Sequence, residues 1–339
     1  MSNHIIDMIK ENYDWITNIS KEKFQDKSVI LIGTGLMAKE YAIALTQMNI
    51  SDVTVISKND KETTDFSNSF DFSVLHGGYQ QYLPNLKKAD LVIIVTPIPQ
   101  LLDAAKLAID SGQKKILIEK PGSLYPDKLT SLSKQLTDQI VRIGYNRLLY
   151  PSFHKLKFLA EQEGGITSCT FNFTEWVHTI NFEKYPSDVY SRWGISNSLH
   201  VISMAMELIG MPKNISTYSS GKLDWHPSGS IFVGSGLSEN NIPFSFHADW
   251  GSAGRWGVEI MTKDNVYRLI PLEGLFVCKK GSVNWEPISL SPMYPKAKTG
   301  IAEEIAVMFN DEKEKEIGLI TLEAASEYNK LAEKIFAYT

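Results

Sequence analysis

Gly33-Thr34-Gly35-Leu36-Met37-Ala38 follows the apolar run Val29–Ile32, and Glu119-Lys120-Pro121 follows the apolar run Ile116–Ile118. A Gly-x-Gly-x-x-Ala turn between a strand and a helix can cradle a pyrophosphate. The first glycine permits a tight turn, the second lets backbone approach the phosphates, and Ala38 lets helix pack closely on strand. The helix N-terminus adds free N–H groups and the positive end of its dipole. Thr34, Leu36 and Met37 complete the stretch that would line a dinucleotide. A lysine at the mouth of a later strand suggests chemistry beside that dinucleotide. It can donate a hydrogen bond to a developing alkoxide or, if desolvated, shuttle a proton.

Two further strand ends belong to the same reading. Ser57-Lys58-Asn59 follows Val55-Ile56, with no carboxylate at the strand tip and Asp60 only later. An acidic residue there would bond a ribose 2′-hydroxyl, whereas a cation accommodates a 2′-phosphate. A hydroxyl, an ammonium and an amide favour NADP(H) over NAD(H). The alternative is a solvated turn in which Asp60, or no residue, sets the preference. Thr96-Pro97 ends another apolar run, where strand C-termini line a cofactor crevice. Pro97 and Pro99 would keep that exit extended.

The elements that must position these residues can be read from periodicity. Apolar positions at Ile5, Ile6, Ile9, Tyr13 and Ile16 predict an amphipathic helix over 4–20. Strands are then expected at 29–32, 53–56, 72–75, 91–95, 115–118 and 140–144, alternating with helices at 37–48, 101–111 and 127–136. That alternation predicts an α/β Rossmann domain, a doubly wound parallel sheet, over 1–150. From Thr167 the rhythm changes to strand-like segments around a single helix, 199–209, with two closing helices near 301–309 and 322–337. This predicts an α+β C-terminal domain over 151–339 with an open, mainly antiparallel sheet. The first of these strands is expected to run from Thr167 to Val177, and Gly251–Gly254 reads as a hairpin turn.

Composition bounds the function classes. The chain has 339 residues, 43% hydrophobic and 22% charged, with a formal net charge of −5. That argues against nucleic acid or an anionic membrane as the main partner. Cys169 and Cys278 are far apart with no metal-binding spacing, so no metal site is expected and both read as reduced thiols. Neither a signal peptide nor a membrane span is visible, and a cytoplasmic protein is expected.

Taken with Gly144-Tyr145-Asn146-Arg147 and Asn197-Ser198-Leu199-His200, these motifs resemble the Gfo/Idh/MocA family, the relatives of glucose–fructose oxidoreductase and inositol dehydrogenase. The resemblance covers nearly the whole chain. It implies an NAD(P)-dependent oxidoreductase that moves a hydride between nicotinamide and a sugar or cyclitol carbon. It further implies that Lys120 sits beside the reacting hydroxyl while Glu119 helps place the strand end and the cofactor. His200 would act with Lys120 as acid/base or bind a substrate hydroxyl. The family's Asp four residues before that His is Ser196 here, so His200 lacks its usual carboxylate, and Ser196 or Asn197 would cap the helix or face substrate. Arg147 would bind substrate oxygens or hold the domain junction.

Arg192-Trp193 suits a sugar by fork and stacking, or is a packed loop; Trp176 and His178 are weaker candidates of the same kind. The resemblance also implies a homodimer or homotetramer through the C-terminal sheet. A nucleotide-linked or acidic sugar of surface-polysaccharide synthesis is the expected substrate. The rivals are an NAD-dependent glycosidase that oxidises transiently, and a non-catalytic cofactor-binding or sensing protein.

Overall fold

The computed structural model describes residues 3–58, 60–290, 294 and 296–338. It divides into two compact units, one gathering Thr17–Asn146 and Pro292–Glu327, the other Met1–Ile16, Arg147–Ser291 and Tyr328–Thr339. The division is therefore not a single cut near residue 150. The N-terminal helix Asn3–Ile16 packs on helix Pro151–Gln162, whose existence the sequence pattern did not predict. Helix Ile301–Phe309 packs on helix Leu36–Gln47 and so returns to the first unit.

The first unit holds six strands: β1 (Ser28–Ile32), β2 (Asp52–Ser57), β3 (Ser73–His76), β4 (Leu91–Ile94), β5 (Lys115–Glu119) and β6 (Ile140–Gly144). Their order is β3-β2-β1-β4-β5-β6, and every pairing is parallel. β4 is buried throughout and β1 and β5 nearly so, as strands covered on both faces must be. Strand order reverses between β1 and β4, which opens a crevice at their carboxyl ends. The expected doubly wound Rossmann sheet is present, with each strand boundary within a residue or so of its reading.

The second unit contains an eight-stranded sheet of β7 (Ser168–Phe173), β8 (Pro212–Ser220), β9 (Ile231–Ser238), β10 (Pro243–Asp249), β11 (Trp256–Met261), β12 (Asn265–Leu269), β13 (Leu275–Lys279) and β14 (Glu286–Ile288). Its order is β14-β13-β12-β11-β7-β10-β9-β8, antiparallel except for β7 beside β10. Helix Leu199–Ile209 packs across β7 and β11. Phe171, Phe173, Phe232, Trp250 and Phe336 are fully buried and supply much of this core. Each such side chain contributes about 1.5–3 kcal/mol on burial.

Three expectations are corrected. β7 stops at Phe173, because Thr174 Oγ1 replaces a backbone acceptor for Asp249 N at 3.0 Å and the chain then turns into a short 3₁₀ segment at Val177–Thr179. Gly251–Gly254 is not a hairpin, since β10 and β11 lie on opposite sides of β7 and the segment carries the chain past that strand. The N-terminal helix ends at Ile16, followed by a 3₁₀ turn at Ile19–Lys21. Among the described residues no helix is long and apolar enough to cross a membrane.

Candidate functional site

In the first unit the glycine turn is tied to the strands on both sides. Gly33 N donates to Ile56 O of β2 at 2.9 Å, and Val95 N donates to Ile32 O of β1 at 2.9 Å. Gly33 has φ +122°, and a side chain there would place Cβ 2.9 Å from the Val95 carbonyl oxygen. Only glycine satisfies both conditions. Gly35 differs: its φ is −73°, and an added Cβ would meet nothing within 4 Å. The space above Gly35 is open, and helix Leu36–Gln47 begins there without a side-chain cap. Those first N–H groups are therefore available to an anion. Leu36 stands 65% exposed beside them, and Thr96 Oγ1 is buried with no hydrogen-bond partner at the end of β4. An open cradle, uncapped N–H groups, an exposed apolar side chain and an orphan hydroxyl all fit a dinucleotide.

Ser57 is used differently from the expectation. Its hydroxyl is buried 2.7 Å from Thr34 Oγ1 and accepts from Thr63 Oγ1 at 2.5 Å, so it braces the turn instead of pointing outward. Its carbonyl accepts from Gly77 N and Gly78 N at 2.9 and 2.8 Å. Lys58 is exposed and Pro97 is exposed at the start of a 3₁₀ turn, while Asn59 lies outside the described residues.

At the end of β5, Glu119 and Lys120 are half-buried, and the Lys120–Pro121 bond is cis. Tyr41 Oη lies 3.2 Å from Glu119 Oε2 and 2.5 Å from Glu304 Oε1. Burial first, and then the Glu119 charge, pushes the Glu304 carboxyl well above its ordinary range.

In the second unit the organising group is Trp256. The Arg255 guanidinium lies 4.1 Å from its ring centre and the Arg147 guanidinium 5.0 Å, with the His200 ring at 5.8 Å. Arg147 Nε is buried without a hydrogen-bond partner. Beside Trp256 sits Glu175, only 2% exposed. It accepts from Asn197 Nδ2 at 2.7 Å, Ser198 Oγ at 2.6 Å and Trp256 Nε1 at 3.3 Å, and Arg255 Nη1 is 3.7 Å away. Burial raises the Glu175 pKa, while those donors and Arg255 pull it back.

The expected helix cap is absent. Ser196 Oγ donates to Trp193 O at 3.2 Å, within a π-helical turn over Gly194–Ser198, and Asn197 turns to Glu175. The pair Arg192-Trp193 is split. Arg192 is buried in an ion pair with Glu333 at 2.8 Å, whereas Trp193 stacks on Tyr190 and keeps its indole N–H buried without a partner. Trp176 lies under Arg255, 4.7 Å from ring centre to guanidinium, with His178 beside it.

Residues 27–146 match the model of the Gfo/Idh/MocA oxidoreductase family, NAD-binding Rossmann fold. Over that stretch the chain is similar to the family's NAD-binding domain. A 78-residue stretch is 27% identical to shikimate dehydrogenase (NADP(+)) of Methanothermobacter thermautotrophicus, spanning 22% of this chain and 28% of that relative's length. The chain resembles UDP-N-acetylglucosamine 3-dehydrogenase of Acidithiobacillus ferrooxidans at TM-score 0.71 and 14% identity, over 92% of this chain and 97% of that one. Levoglucosan dehydrogenase in complex with NADH and levoglucosan matches at TM-score 0.71 and 17% identity, over 91% and 95%. An oxidoreductase of Thermotoga maritima matches at 0.74 and 16%, over 93% and 96%. These likenesses show that the chain shares the fold of those structures along both units.

Sequence reasoning missed Glu175, Arg255, Trp256, Tyr41 and Glu304. Two signals were present. Glu175 falls in step with the inward positions Cys169, Phe171 and Phe173, and Glu303-Glu304 interrupts an otherwise apolar helix. A carboxyl at a core position requires partners.

Proposed function

We propose that this chain is a Gfo/Idh/MocA-type dehydrogenase that moves a hydride between NADP(H) and a hydroxyl-bearing carbon of a sugar or sugar derivative. The open, uncapped cradle at Gly35 is the observation that carries the reading. Gly33, Thr34, Gly35, Leu36, Met37, Thr96 and Pro97 hold the dinucleotide, with Glu119 near its nicotinamide end. Lys58, exposed after β2, supports NADP(H) by offering a cation to a 2′-phosphate. Ser57 acts from behind, by fixing Thr34.

Once bound, the dinucleotide supplies or accepts the hydride; everything else is positioning and proton handling by the protein. Lys120 Nζ donates to the substrate oxygen as charge develops there and takes or returns its proton. Arg147 and His200, both against Trp256, and Asn197 bind substrate oxygens, and Trp193 offers its indole face to the sugar's C–H groups. Arg192 instead holds the C-terminal helix. The structurally similar dehydrogenases of UDP-N-acetylglucosamine and levoglucosan support a sugar-like substrate. Two free cysteines agree with a cytoplasmic setting, and the C-terminal sheet is the proposed face for a homodimer or homotetramer.

The test is calorimetry with NADPH and NADH, followed by a panel of free, acidic and nucleotide-linked sugars monitored by nicotinamide absorbance. NADPH should bind more tightly than NADH. Lys120→Met should keep NADPH binding and lose about 100-fold or more of hydride transfer. Binding of neither dinucleotide overturns the proposal.

A further inference from the structure

Tyr41 presents one hydroxyl to two carboxyl groups, Glu304 Oε1 at 2.5 Å and Glu119 Oε2 at 3.2 Å. A phenol has a single proton to donate. Were both acids ionised, one carboxylate oxygen would face Oη with no proton between them. Glu304 has a second difficulty, because its Oε2 is buried with no hydrogen-bond partner. The charged groups facing it do not resolve this. Lys298 points its ammonium at Met37 Sδ, 3.6 Å away, and Glu303 uses its carboxylate to accept from Gly300 N at 2.9 Å. An ionised Glu304 would therefore be a buried charge without an ion pair or a donor on one oxygen, which is costly.

One proton on Glu304 removes both difficulties. It is donated to Tyr41 Oη, Tyr41 donates onward to Glu119, and Oε2 is left as a neutral carbonyl oxygen. We propose that this directional chain, Glu304 to Tyr41 to Glu119, is the device that positions the strand end from which Lys120 projects, with Glu304 a positioning residue that never needs to touch substrate or cofactor. Burial and the charges of Glu119 and Glu303 act in the direction this requires and outweigh the Tyr41 hydrogen bond and the Lys298 charge. Tyr41 is likewise held as the neutral phenol, by burial first and then by the two carboxyl groups. The chain also accounts for Gly144, which pairs in register with Glu119 on β6. A Cβ there would come within 3.0 Å of Tyr41 Oη and 3.2 Å of Glu304 Oε2. The glycine of the Gly144-Tyr145-Asn146-Arg147 motif thus makes room for the chain.

The importance of Lys120 rests on the proposed function, so the test uses readouts that need neither substrate nor turnover. Infrared difference spectra of the full chain at neutral pH, wild type against Glu304→Gln, should show the carbonyl band of a protonated carboxyl that the variant lacks. Lys120 is then labelled with acetic anhydride across a pH series and followed by peptide mass spectrometry. Glu304→Gln should label like wild type at neutral pH, because an amide N–H donates to Tyr41 Oη as the acid did. With Lys222 of the same protein as reference, the Lys120 rate should depart from that reference as pH rises in wild type alone, as Glu304 ionises. Tyr41→Phe and Glu304→Leu should alter the Lys120 labelling rate about tenfold, the worth of one hydrogen bond to a charged group, with exposed Lys222 unchanged.

Absence of the band, or labelling of Lys120 alike in all four proteins, overturns the chain. If wild type binds neither NADPH nor NADH while the band and the labelling pattern are present, the proposed function fails and the chain stands.

Discussion

Glu175 and Glu304 are both buried carboxyl groups, one in each unit, and their surroundings solve the same problem in opposite ways. Glu175 is met by three donors and an arginine, none of which needs a proton from it. Glu304 meets one phenol that is already shared with Glu119, and its other oxygen is unpartnered. The first environment is built for a charge and the second for a neutral acid. Burial alone pushes both groups the same way. What separates them is the supply of donors, so donor counting distinguishes a structural anion from a proton-carrying link.

The largest effect should follow from removing the charged member. Glu175→Leu leaves Arg255 without its partner and three donors without an acceptor, and should cost about 3–5 kcal/mol in urea denaturation. Glu304→Leu removes a neutral group and should cost about 1–2 kcal/mol. Equal losses would erase the distinction between the two sites.

The contrast also marks how far the sequence could be read. Both strand patterns and the Gly33–Ala38 turn were legible because they rest on local periodicity and on glycine's backbone freedom. The place of Lys120 at a strand end was legible because β5 precedes it directly. The partners of these residues were not, since Tyr41, Glu119 and Glu304 meet only after the chain has completed the sheet and returned through residues 292–327. Arg192 illustrates the same limit. Its type and its neighbour Trp193 suit a sugar, but Glu333, 141 residues away, takes the guanidinium. The missing Asp at Ser196 drew attention to what His200 lacks, while the carboxylate that organises its neighbours comes from the end of β7.

Within the first unit, the two glycines of the turn offer a sharper test of site against scaffold. Gly33→Ala meets the Val95 carbonyl at a positive φ and should cost about 1–3 kcal/mol of stability as well as dinucleotide affinity. Gly35→Ala adds a methyl group to open space at an ordinary φ. Stability should be unchanged and NADPH affinity should fall in calorimetry. A Gly35→Ala variant that binds NADPH as wild type does would mean the open space is not where phosphates lie.

One group in each unit should also respond to pH, with opposite signs. In the second, His226 bonds Gly229 O at 2.9 Å and Tyr338 Oη at 2.7 Å, and burial lowers its pKa from 6.5 to about 4. It is neutral in the fold, so its contribution is complete above 6.5 and is lost as pH falls toward 4. In the first, burial raises Glu303 from 4.5 to about 7. Its contribution is complete below 4.5 and is lost as pH rises to 7. Denaturation midpoints across that range should flatten on the acid side in His226→Gln. In Glu303→Gln, which keeps an acceptor for Gly300 N, the loss on raising pH should disappear. The same slope in wild type and both variants would show that neither group changes its protonation on unfolding.

The smallest expected effect distinguishes bracing from binding at β2. Ser57 links Thr34 to Thr63 through hydroxyls alone. Neutral hydrogen bonds of this kind are worth about 1 kcal/mol, and Ser57→Ala should cost that much in stability. The proposed preference for NADPH over NADH should not move, because the hydroxyl faces the turn and Lys58 is an exposed cation. Lys58→Ala should do the reverse, narrowing the preference while leaving stability within about 0.5 kcal/mol. If Ser57→Ala narrows the preference as much as Lys58→Ala does, the serine binds the cofactor directly and its contact with Thr34 is exchanged for one with phosphate when the dinucleotide arrives.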